Sequence, residues 1–504
     1  MTLLTRSEPQ SQILDFPAIS ASQSASSDET LARPLVVDLD GTLIRTDLLV
    51  ESFLALLGRK PGSALQAILA LRNGKAAFKS ALAEDVALDM ATLPFNQDVL
   101  AFVAAERRRG RAVYLASAAD KRYVDEIAEH LGLFAGVFGS EHGTNLSGRQ
   151  KADALCAAFG ERGFDYVGDT AADEPVWRRS AGVFLADARA GHLSALRRWA
   201  PHAEAVGRRR LFIRDGAWLD YVKAMRLHQW LKNLLILVPS LAAHRFDAAL
   251  FASVLAFISF SLCASSVYIL NDLLDLRSDR AHARKRRRPF AAGRLPLVGG
   301  AMLVPILLAL SGGIALLLPV KFLLVLGGYY ALTCAYSFSL KRKMLVDVVA
   351  LACLYGTRLL AGSAATAIVL SPWLGALSIF LFFCLALVKR CAELADRKAN
   401  GGGAVAGRGY TTDDLPALQA MSAASGFVAV LVFALYVDSP AVRVLYSNPD
   451  RLWVISVLIL YWVSRMLLLT HRGHMHDDPV VFAAKDRVSL MIAAGCAVVM
   501  AASI

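Results

Sequence analysis

The sequence has few cysteines, and none of them is spaced as a metal-binding or redox pair. Its seven cysteines are scattered over 504 residues without a CxxC motif. Six of the seven lie in or at the ends of apolar stretches, where an unpaired cysteine serves as a small apolar side chain. The sequence therefore favours buried free thiols over a disulfide framework or a cysteine metal site.

The N-terminal stretch also lacks the features of a secretory signal. The segment MTLLTRSEPQSQILDF has no continuous apolar core, which such a signal requires. It is followed by ASQSASSDE at residues 21–29, a serine-rich composition typical of disordered chain. We therefore expect residues 1–33 to be disordered and the domain after them to stay in the cytoplasm.

What the sequence has in abundance is apolar residues. They make up 56% of the chain, and the mean hydropathy is +0.47, which is too apolar for an ordinary soluble protein. The first part of the chain nevertheless has the composition of a soluble domain, whereas the remainder consists of long apolar segments broken by short polar ones. The sequence predicts a soluble domain at 34–205, a linker at 206–217 and a membrane domain at 218–504.

The membrane domain contains nine candidate spans, because a helix needs about 20 apolar residues to cross a bilayer. Their centres lie near Leu237, Ile258, Ile306, Val325, Leu354, Phe380, Val428, Val457 and Ala493.

Lysine and arginine are concentrated in the loops after the second, fourth, sixth and eighth spans. The other loops contain only Arg245, Lys321, Arg443 and Arg451. Basic loops stay on the cytoplasmic side, so this asymmetry predicts the same side for these loops and for the soluble domain. The net charge of +12 then follows from topology, aided by anionic lipid, and we expect no binding to nucleic acid.

One basic loop begins with the acidic sequence NDLLDLRSD at residues 271–279. Asp272, Asp275 and Asp279 are three and four residues apart, so on a helix they fall within a stripe about 60° wide. Their repulsion would be relieved by a hard divalent cation such as Mg²⁺, which takes one or two carboxylates and phosphate oxygens. The arginines at 284–288 suit a phosphate partner. The alternative is a positive-inside loop with solvated acids.

This segment resembles the NDxxDxxxD signature of the UbiA superfamily of intramembrane transferases, over roughly residues 215–504. The resemblance implies an all-α fold of nine helices that binds Mg²⁺ and a diphosphate substrate on the cytoplasmic side. Four further segments are similar to the decaprenyl-phosphate phosphoribosyltransferase branch: RKRRRPFAAG at 284–293, YSFSLKRKMLVDVV at 336–349, LVKRCAELAD at 387–396 and DDPVVFAAKDRVSL at 477–490.

The loop after the fourth span offers only Asp347 where aromatic prenyltransferases of the superfamily carry a second aspartate-rich motif. This favours phosphoribosyl diphosphate as the donor over a prenyl diphosphate. By the same resemblance, Asn271, Asp272, Asp275 and Asp279 hold Mg²⁺ and diphosphate. The remaining substrate-binding residues are predicted to be Arg284, Lys285, Arg287, Arg288, Lys341, Asp347, Arg358, Lys389, Arg390 and Glu393.

Several of these residues have simpler interpretations. Lys341, Lys389 and Arg390 would also serve as anchors at helix ends, and Lys389 with Glu393 would form an ion pair within one helix. Asp347 and Arg358 lie inside an apolar span, where an ionisable side chain is costly and usually functional.

The soluble domain carries its own pattern of acids. In PLVVDLDGTLIRTD a short apolar run ends in Asp38 and Asp40, as expected for a buried parallel strand whose end opens into a ligand-binding crevice. Downstream, polar residues recur at the ends of apparent strands or the start of a helix: Ser117, Lys151, Asp169 and Asp173.

Together these residues resemble the haloacid dehalogenase (HAD) superfamily, with DxDGT at 38–42 and GDxxxD at 168–173. The resemblance implies an α/β fold of the Rossmann type with a helical cap formed by residues 43–113. It implies that Asp38 attacks phosphorus, that Asp40 transfers protons, and that Ser117 and Lys151 hold the phosphoryl group. The Mg²⁺ ligands would be Asp38, Asp40, Asp169 and Asp173. An inactive domain that docks a partner is the alternative.

The sequence as a whole predicts a bifunctional enzyme in the inner cell membrane of a bacterium. Its membrane domain would use Mg²⁺ to transfer a phosphoribosyl or related group from a diphosphate donor to a polyprenyl phosphate, and its HAD domain would remove a phosphate from the product. The alternatives are an aromatic prenyltransferase of the same fold and a non-catalytic lipid-binding scaffold.

Overall fold

The two halves of the chain form two compact units, and the loop stretches Arg280–Arg286 and Ala291–Pro296 belong to the first. The computed structural model describes residues 32–141, 144–187, 190–207, 216–245, 247–282, 284–399, 409–475 and 478–504. The predicted disordered segment 1–33 and the predicted linker 206–217 lie largely outside the described residues.

The first unit is built on a six-stranded parallel sheet in the order β3-β2-β1-β4-β5-β6. The strands are β1 Leu35–Asp38, β2 Val113–Asp120, β3 Gly136–Ser140, β4 Asp165–Gly168, β5 Val183–Ala186 and β6 Glu204–Val206. Leu35 and Val37 pack into one core and Val36 into the other, because successive side chains of a strand point to opposite faces. A strand covered by helices on both faces must be apolar throughout, which explains the run LVV.

The helices of this unit are α1 Leu48–Arg59, α2 Pro61–Ala70, α3 Lys75–Asp85, α4 Gln97–Arg108, α5 Lys121–Leu131, α6 Arg149–Phe159, α7 Glu174–Trp177 and α8 Ala190–Arg197. The first three lie between β1 and β2 and share a small core of their own that includes Leu56, Phe78 and Leu82. They form a smaller cap than the predicted residues 43–113, because Val99 and Val103 of α4 pack into the core of the sheet.

The register of the sheet brings polar residues from distant parts of the sequence to one edge. Asp38 at the end of β1 pairs with Ala116 of β2, and Val37 pairs with Val167 of β4. Ser117 and Asp169 therefore lie beside Asp38. The strand order reverses at β1, and open α/β sheets bind ligands at such a position, beyond the carboxyl ends of the strands.

The second unit is helical. Its helices are α9 Gly216–Met225, α10 Val238–Ala242, α11 Ala248–Leu274, α12 Leu276–Ala281, α13 Leu297–Ala315, α14 Val320–Phe338, α15 Val346–Thr366, α16 Pro372–Ala399, α17 Leu415–Val437, α18 Pro440–Leu445, α19 Trp453–His471, α20 Pro479–Ala483 and α21 Arg487–Ser503. Among the described residues, seven helices are long and apolar enough to cross a membrane: α11, α13, α14, α15, α16, α17 and α19.

The predicted count of nine spans is not confirmed. The segment around Leu237 is a 3-10 helix, Leu227–Leu237, followed by the short α10, and α21 near Ala493 has 17 residues. The 3-10 segment packs closely on α15 at Gly362. A side chain would not fit there, since a Cβ on Gly362 would lie 2.1 Å from the Ile236 carbonyl oxygen. Its polar side chains also bind α11: Trp230 donates to Ser265 at 2.9 Å. These contacts compensate for the poorer hydrogen-bond geometry of a 3-10 helix.

Candidate active sites

A chain of buried polar contacts starts at Asp38, at the end of β1. Lys151, in the first turn of α6, lies with its Nζ 2.5 Å from Asp38 Oδ1 and donates to the Tyr166 hydroxyl at 3.0 Å. Tyr166 in turn donates to Asp173 at 2.9 Å, and Thr42 donates to the second Asp38 oxygen at 3.2 Å. The structure thus brings together Asp38, Lys151 and Asp173, as the sequence predicted.

Three carboxylates at this edge are close enough to share a cation. Ligand atoms of Asp38, Asp169 and Asp173 lie within 4.8 Å of one another, the only such group of three among the residues that the structure describes. Burial raises the pKa of Asp169 to about 7, and Asp38 and Asp173 add to the effect. Crowded buried carboxylates are relieved by a divalent cation, and an all-oxygen donor set suits Mg²⁺. The residues therefore fit the metal that the sequence predicted.

Close packing at this carboxylate group explains the glycine in DxDGT. Gly41 has φ +82°, and a Cβ there would lie 2.5 Å from an Asp169 carboxylate oxygen. Any side chain at this position would both strain the backbone and displace Asp169.

The Asp40 side chain is not one of this group of three, and its role as a metal ligand stays a prediction. It accepts hydrogen bonds from the Leu48 amide at 2.9 Å and from the Ser117 hydroxyl at 3.1 Å. Burial, with a contribution from Asp47, raises the pKa of Asp40 to about 7. A carboxyl group that exchanges a proton near neutral pH is suited to acid–base chemistry. The predicted Ser117 is placed beside it.

Sequence reasoning missed Thr42, Tyr166 and Lys79. Tyr166 could have been noticed as a polar residue inside the β4 run, whereas Lys79 lies in an ordinary helical pattern of the cap. Its Nζ donates to the Ala118 carbonyl at 2.5 Å and to Asn145 at 2.6 Å, next to Ser117. Only the packing of α3 on the sheet edge brings a cap lysine to the crevice.

In the second unit, two of the predicted aspartates share one arginine. Asp272 in the last turn of α11 and Asp279 in α12 are both buried. Arg288 donates to Asp272 at 3.1 Å and to Asp279 at 2.5 Å, and Arg226 also donates to Asp272. Arg226 was not predicted. These four side chains form an ion network, here called the aspartate–arginine network, at the end of a membrane-spanning helix.

Asp275 lies outside this network, and a one-residue break in the helix interrupts the predicted stripe at this position. Helix α11 ends at Leu274, and Asp275 is its C-cap with φ −99° and ψ 15°. The Asp275 side chain is 42% exposed and lies 3.3 Å from the Nζ of the predicted residue Lys341. Within the described part of the chain these three aspartates do not form a metal-binding group of the kind found in the first unit.

The residues of the predicted phosphate-binding arginine run do not all lie in the same environment. Arg288 faces the aspartates, whereas Arg284, Lys285 and Arg287 are exposed. The predicted Asn271 is partly buried, in the last turn of α11.

A second polar cluster, here called the Asp478 cluster, lies among the membrane helices. Asp478 accepts from the Nζ of Lys232 at 2.7 Å, from Lys389 at 3.2 Å and from the Tyr355 hydroxyl at 2.9 Å. The buried Arg358 lies over the Tyr355 ring, with its guanidinium carbon 5.6 Å from the ring centroid. Two lysines therefore contact one carboxylate, and Arg358 contacts the tyrosine that donates to it.

Arg358 is held in place by a further chain of hydrogen bonds. Its Nε donates to Asn233 at 2.8 Å, and Asn233 donates to Ser261 at 2.9 Å. Arg358 and Lys389 were predicted to bind substrate. Lys232, Asn233, Tyr355 and Asp478 were not, although the dipeptide Lys232–Asn233 inside an apolar run was a signal of the kind that marks intramembrane sites.

Asp347 and Arg390, both predicted to line the substrate cavity, are instead completely buried. Arg390 Nη2 lies 2.7 Å from Asp347 Oδ2, and the Tyr410 hydroxyl donates to Asp347 at 2.5 Å. Arg390 also pairs with Glu393, and Lys389 pairs with Asp478. Asp347 and Arg390 have no exposed surface and form a buried pair between α15 and α16, while their contact with substrate stays a prediction.

Breaking this buried pair should destabilise the protein. We expect Asp347→Asn to reduce the free energy of unfolding by about 3 kcal/mol, because it leaves the Arg390 charge buried without its main partner. The control is Glu393→Gln, which neutralises the partly exposed partner and should cost about 1 kcal/mol or less. Thermal unfolding in detergent would compare them, and equal losses would contradict the assignment.

The fold and these sites define an integral membrane enzyme with an attached phosphohydrolase-like domain. Residues 234–497 match the model of the UbiA prenyltransferase family, and residues 35–178 match that of haloacid dehalogenase-like hydrolases. The chain belongs to the UbiA prenyltransferase family and carries an N-terminal HAD domain.

The chain is similar to several curated proteins, among them the following three. It is 38% identical over 464 residues to the uncharacterized protein y4nM of Sinorhizobium fredii, which covers 92% of this chain and 89% of that protein. It is 34% identical over 284 residues to the nodulation protein NoeC of Azorhizobium caulinodans, covering 56% and 92%. It is 32% identical over 276 residues to decaprenyl-phosphate phosphoribosyltransferase of Mycolicibacterium smegmatis, covering 53% and 86%.

Proposed function

We propose that the membrane unit transfers a phosphoribosyl or related group from a diphosphate donor to a polyprenyl phosphate, and that the HAD unit removes a phosphate from the product. The observation that carries the proposal is the aspartate–arginine network, in which carboxylates and guanidinium groups meet at the end of a membrane helix. The 32% identity to a decaprenyl-phosphate phosphoribosyltransferase supports the choice of donor and acceptor.

The network suits a magnesium diphosphate because its carboxylates and its guanidinium groups can each exchange their present partners for a part of the ligand. Asp272 and Asp279 are oxygen ligands that would hold Mg²⁺, while Arg226 and Arg288 would turn to the phosphate oxygens. Each buried charge then keeps a partner of opposite sign. A bound metal would supply neutralisation of the diphosphate leaving group, and the arginines would stabilise the same charge directly. Lys341, beside the more exposed Asp275, would reach the outer phosphate.

The Asp478 cluster supplies a place for a second anion. Lys232, Lys389 and Arg358 carry more positive charge than Asp478 balances, and excess buried charge favours an anionic ligand. Helix α11 contributes to both regions, with Asp272 at one and Ser261 at the other. These residues are separated by 11 positions, or about 16 Å of helix. The acceptor phosphate or the 5-phosphate of the donor would fit this cluster.

In the HAD unit, the contacts support hydrolysis of a phosphate monoester in two steps. A carboxylate oxygen of Asp38 would attack phosphorus, forming an aspartyl phosphate while Asp40 donates its proton to the leaving alkoxide. Asp40 would then take a proton from water, which attacks the phosphorus and releases phosphate and Asp38. Lys151 lies within hydrogen-bonding distance of Asp38, and its charge would stabilise the negative oxygens of the transferring group.

The two activities would act in sequence. Transfer from phosphoribosyl diphosphate leaves a 5-phosphate on the lipid-linked sugar, and a phosphatase on the same chain would meet that product at high effective concentration. This order requires the HAD unit to lie on the cytoplasmic side of an inner membrane, which the basic loops support. The proposed boundaries are 34–205 for the HAD domain and 218–504 for the transferase.

The coupling is tested by the phosphate content of the product. We expect the wild-type protein, given phosphoribosyl diphosphate and polyprenyl phosphate, to release inorganic phosphate in addition to diphosphate. Asp38→Asn should make the lipid-linked sugar at an unchanged rate but retain its 5-phosphate, detected by mass spectrometry of the lipid. An Asp38→Asn product with the same phosphate content as wild type would refute the coupling.

The donor is tested by comparing two labelled diphosphates. Label from phosphoribosyl diphosphate should enter the lipid fraction in the presence of Mg²⁺, whereas label from a prenyl diphosphate should not enter an aromatic acceptor. The reverse result would establish an aromatic prenyltransferase, a reaction that the family name also suggests. No transfer from either donor would favour a lipid-binding scaffold.

A further inference from the structure

Helix α2 of the cap exposes its large apolar side chains and buries its small ones. Its small residues Ala64 and Ala67 are buried against the other cap helices, while its large residues face outward. Leu65, Ile68 and Leu69 are 63%, 41% and 52% exposed. They are spaced three and four apart and therefore share one helix face. Leu71, in the following turn, is 44% exposed. These four side chains are called the leucine face.

The leucine face contains four of the five exposed large apolar side chains in the described residues of the sheet-containing unit. Among described residues 32–207, the large apolar side chains classed as exposed are those of the leucine face and Trp199. Trp199 is covered in part by Arg178, whose guanidinium carbon lies 4.8 Å from its ring centroid. A contiguous apolar patch on an otherwise polar domain marks an interaction surface.

We propose that the leucine face is inserted into the interface of the bilayer that the same chain spans. Three observations favour a lipid surface as the occupant. The cap belongs to a chain with seven helices that are long and apolar enough to cross a membrane, so a bilayer is always nearby. The face is an apolar stripe on one side of a helix, as for helices that lie in the membrane plane. It is also flanked by basic residues.

Those basic residues are Arg59 and Lys60 before α2 and Arg72 after it, all exposed. Lys60 Nζ lies 3.8 Å from Asp85, a distance at which the pair contributes little and Lys60 can turn to another anion. Arginine and lysine beside an apolar helix face pair with anionic lipid headgroups while the apolar side chains enter the acyl region. The insertion would hold the cap, which carries Lys79 to the crevice, at the membrane surface.

The test uses the full-length protein in nanodiscs of phosphatidylethanolamine and phosphatidylglycerol. A photoreactive benzoylphenylalanine replaces Leu65 or Leu69, and the matched control places it at Glu129, an exposed position on α5 of the same unit. After illumination, mass spectrometry measures the fraction of protein carrying a phospholipid adduct. We expect at least fivefold more adduct at positions 65 and 69 than at position 129.

A second variant tests whether adducts form because the leucine face is inserted or only because the protein is close to lipid. Ile68→Ser combined with Leu71→Ser leaves the buried alanines untouched, so the cap should stay folded, and it should lower the adduct at position 65 at least threefold. Phosphatidylcholine nanodiscs should lower it as well, because they lack the anionic partner. Equal adducts at positions 65 and 129 would overturn the proposal. Cross-links from position 65 to a second copy of the chain or to another protein, without lipid, would also overturn it.

Discussion

Asp38→Asn should abolish hydrolysis of phosphate monoesters, with a loss of at least about 10⁴-fold in turnover, as for removal of other catalytic nucleophiles. An amide of the same shape cannot attack phosphorus, while the hydrogen-bonding position beside Lys151 and Thr42 is kept. Turnover of p-nitrophenyl phosphate by the full-length protein in detergent, with added Mg²⁺, measures the effect.

The matched control for this substitution is Asp153→Asn. Asp153 lies on α6 with Lys151 but is exposed and pairs with Arg179 at 2.5 Å. We expect less than twofold change in turnover for this variant. Asp40→Asn should fall between the two, with a loss of about 10²–10⁴-fold, because it removes the proton donor and leaves the nucleophile. If Asp38→Asn kept substantial turnover while Asp153→Asn lost it, the assignment of the active site would be wrong.

Asp272→Asn should reduce release of diphosphate from the donor by about 10²–10³-fold, the size of effect seen when one group that stabilises a transition-state charge is removed. The substitution removes a charge that both Arg226 and Arg288 contact. It thereby weakens the metal-binding side of the network and the positioning of the arginines. Release of labelled diphosphate in the presence of Mg²⁺ and polyprenyl phosphate would measure it.

The structure predicts that substitutions of the three aspartates differ in the activity they remove, which sequence spacing alone did not predict. Asp275 is half exposed and contacts only the flexible Lys341 among the contacts identified for its side chain, so Asp275→Asn should cost about tenfold or less. Asp438→Asn, at an exposed helix end of the same unit, should have no effect. Equal losses for Asp272→Asn and Asp275→Asn would restore the prediction of three equivalent metal ligands.

The accuracy of the sequence predictions differs between the two sites for a physical reason. In the first unit Asp38, Ser117 and Asp169 lie in or directly after parallel strands, and parallel pairing brings the carboxyl ends of those strands to one edge. Lys151 at the start of α6 and Asp173 just after β4 belong to the same connections, so the sequence alone could group all five. In the second unit helical spacing was extended through Asp275, where the helix ends, so the predicted stripe separated into the Asp272–Asp279 pair and Asp275.

Other contacts could not have been predicted from spacing. Lys232 and Asp478 lie at opposite ends of the membrane domain sequence and meet only because the helices fold together. Asp347 was noticed as a charge inside an apolar span and Arg390 as a possible anchor at a helix end, but the pairing that buries both completely follows only from the packing. A charge inside an apolar segment indicates that a partner exists, whereas the partner's identity depends on packing.

The sequence by itself determined that this protein has an α/β domain with acids at its strand ends and a membrane domain of long apolar helices. Both follow from local patterns, because hydrophobic periodicity and length select strand or membrane helix independently of distant residues. Only the tertiary structure decided which charges meet, that Arg390 is internal and that the leucines of α2 face outward. Those outcomes depend on side chains brought together across the fold, where a buried charge is stable only beside its partner.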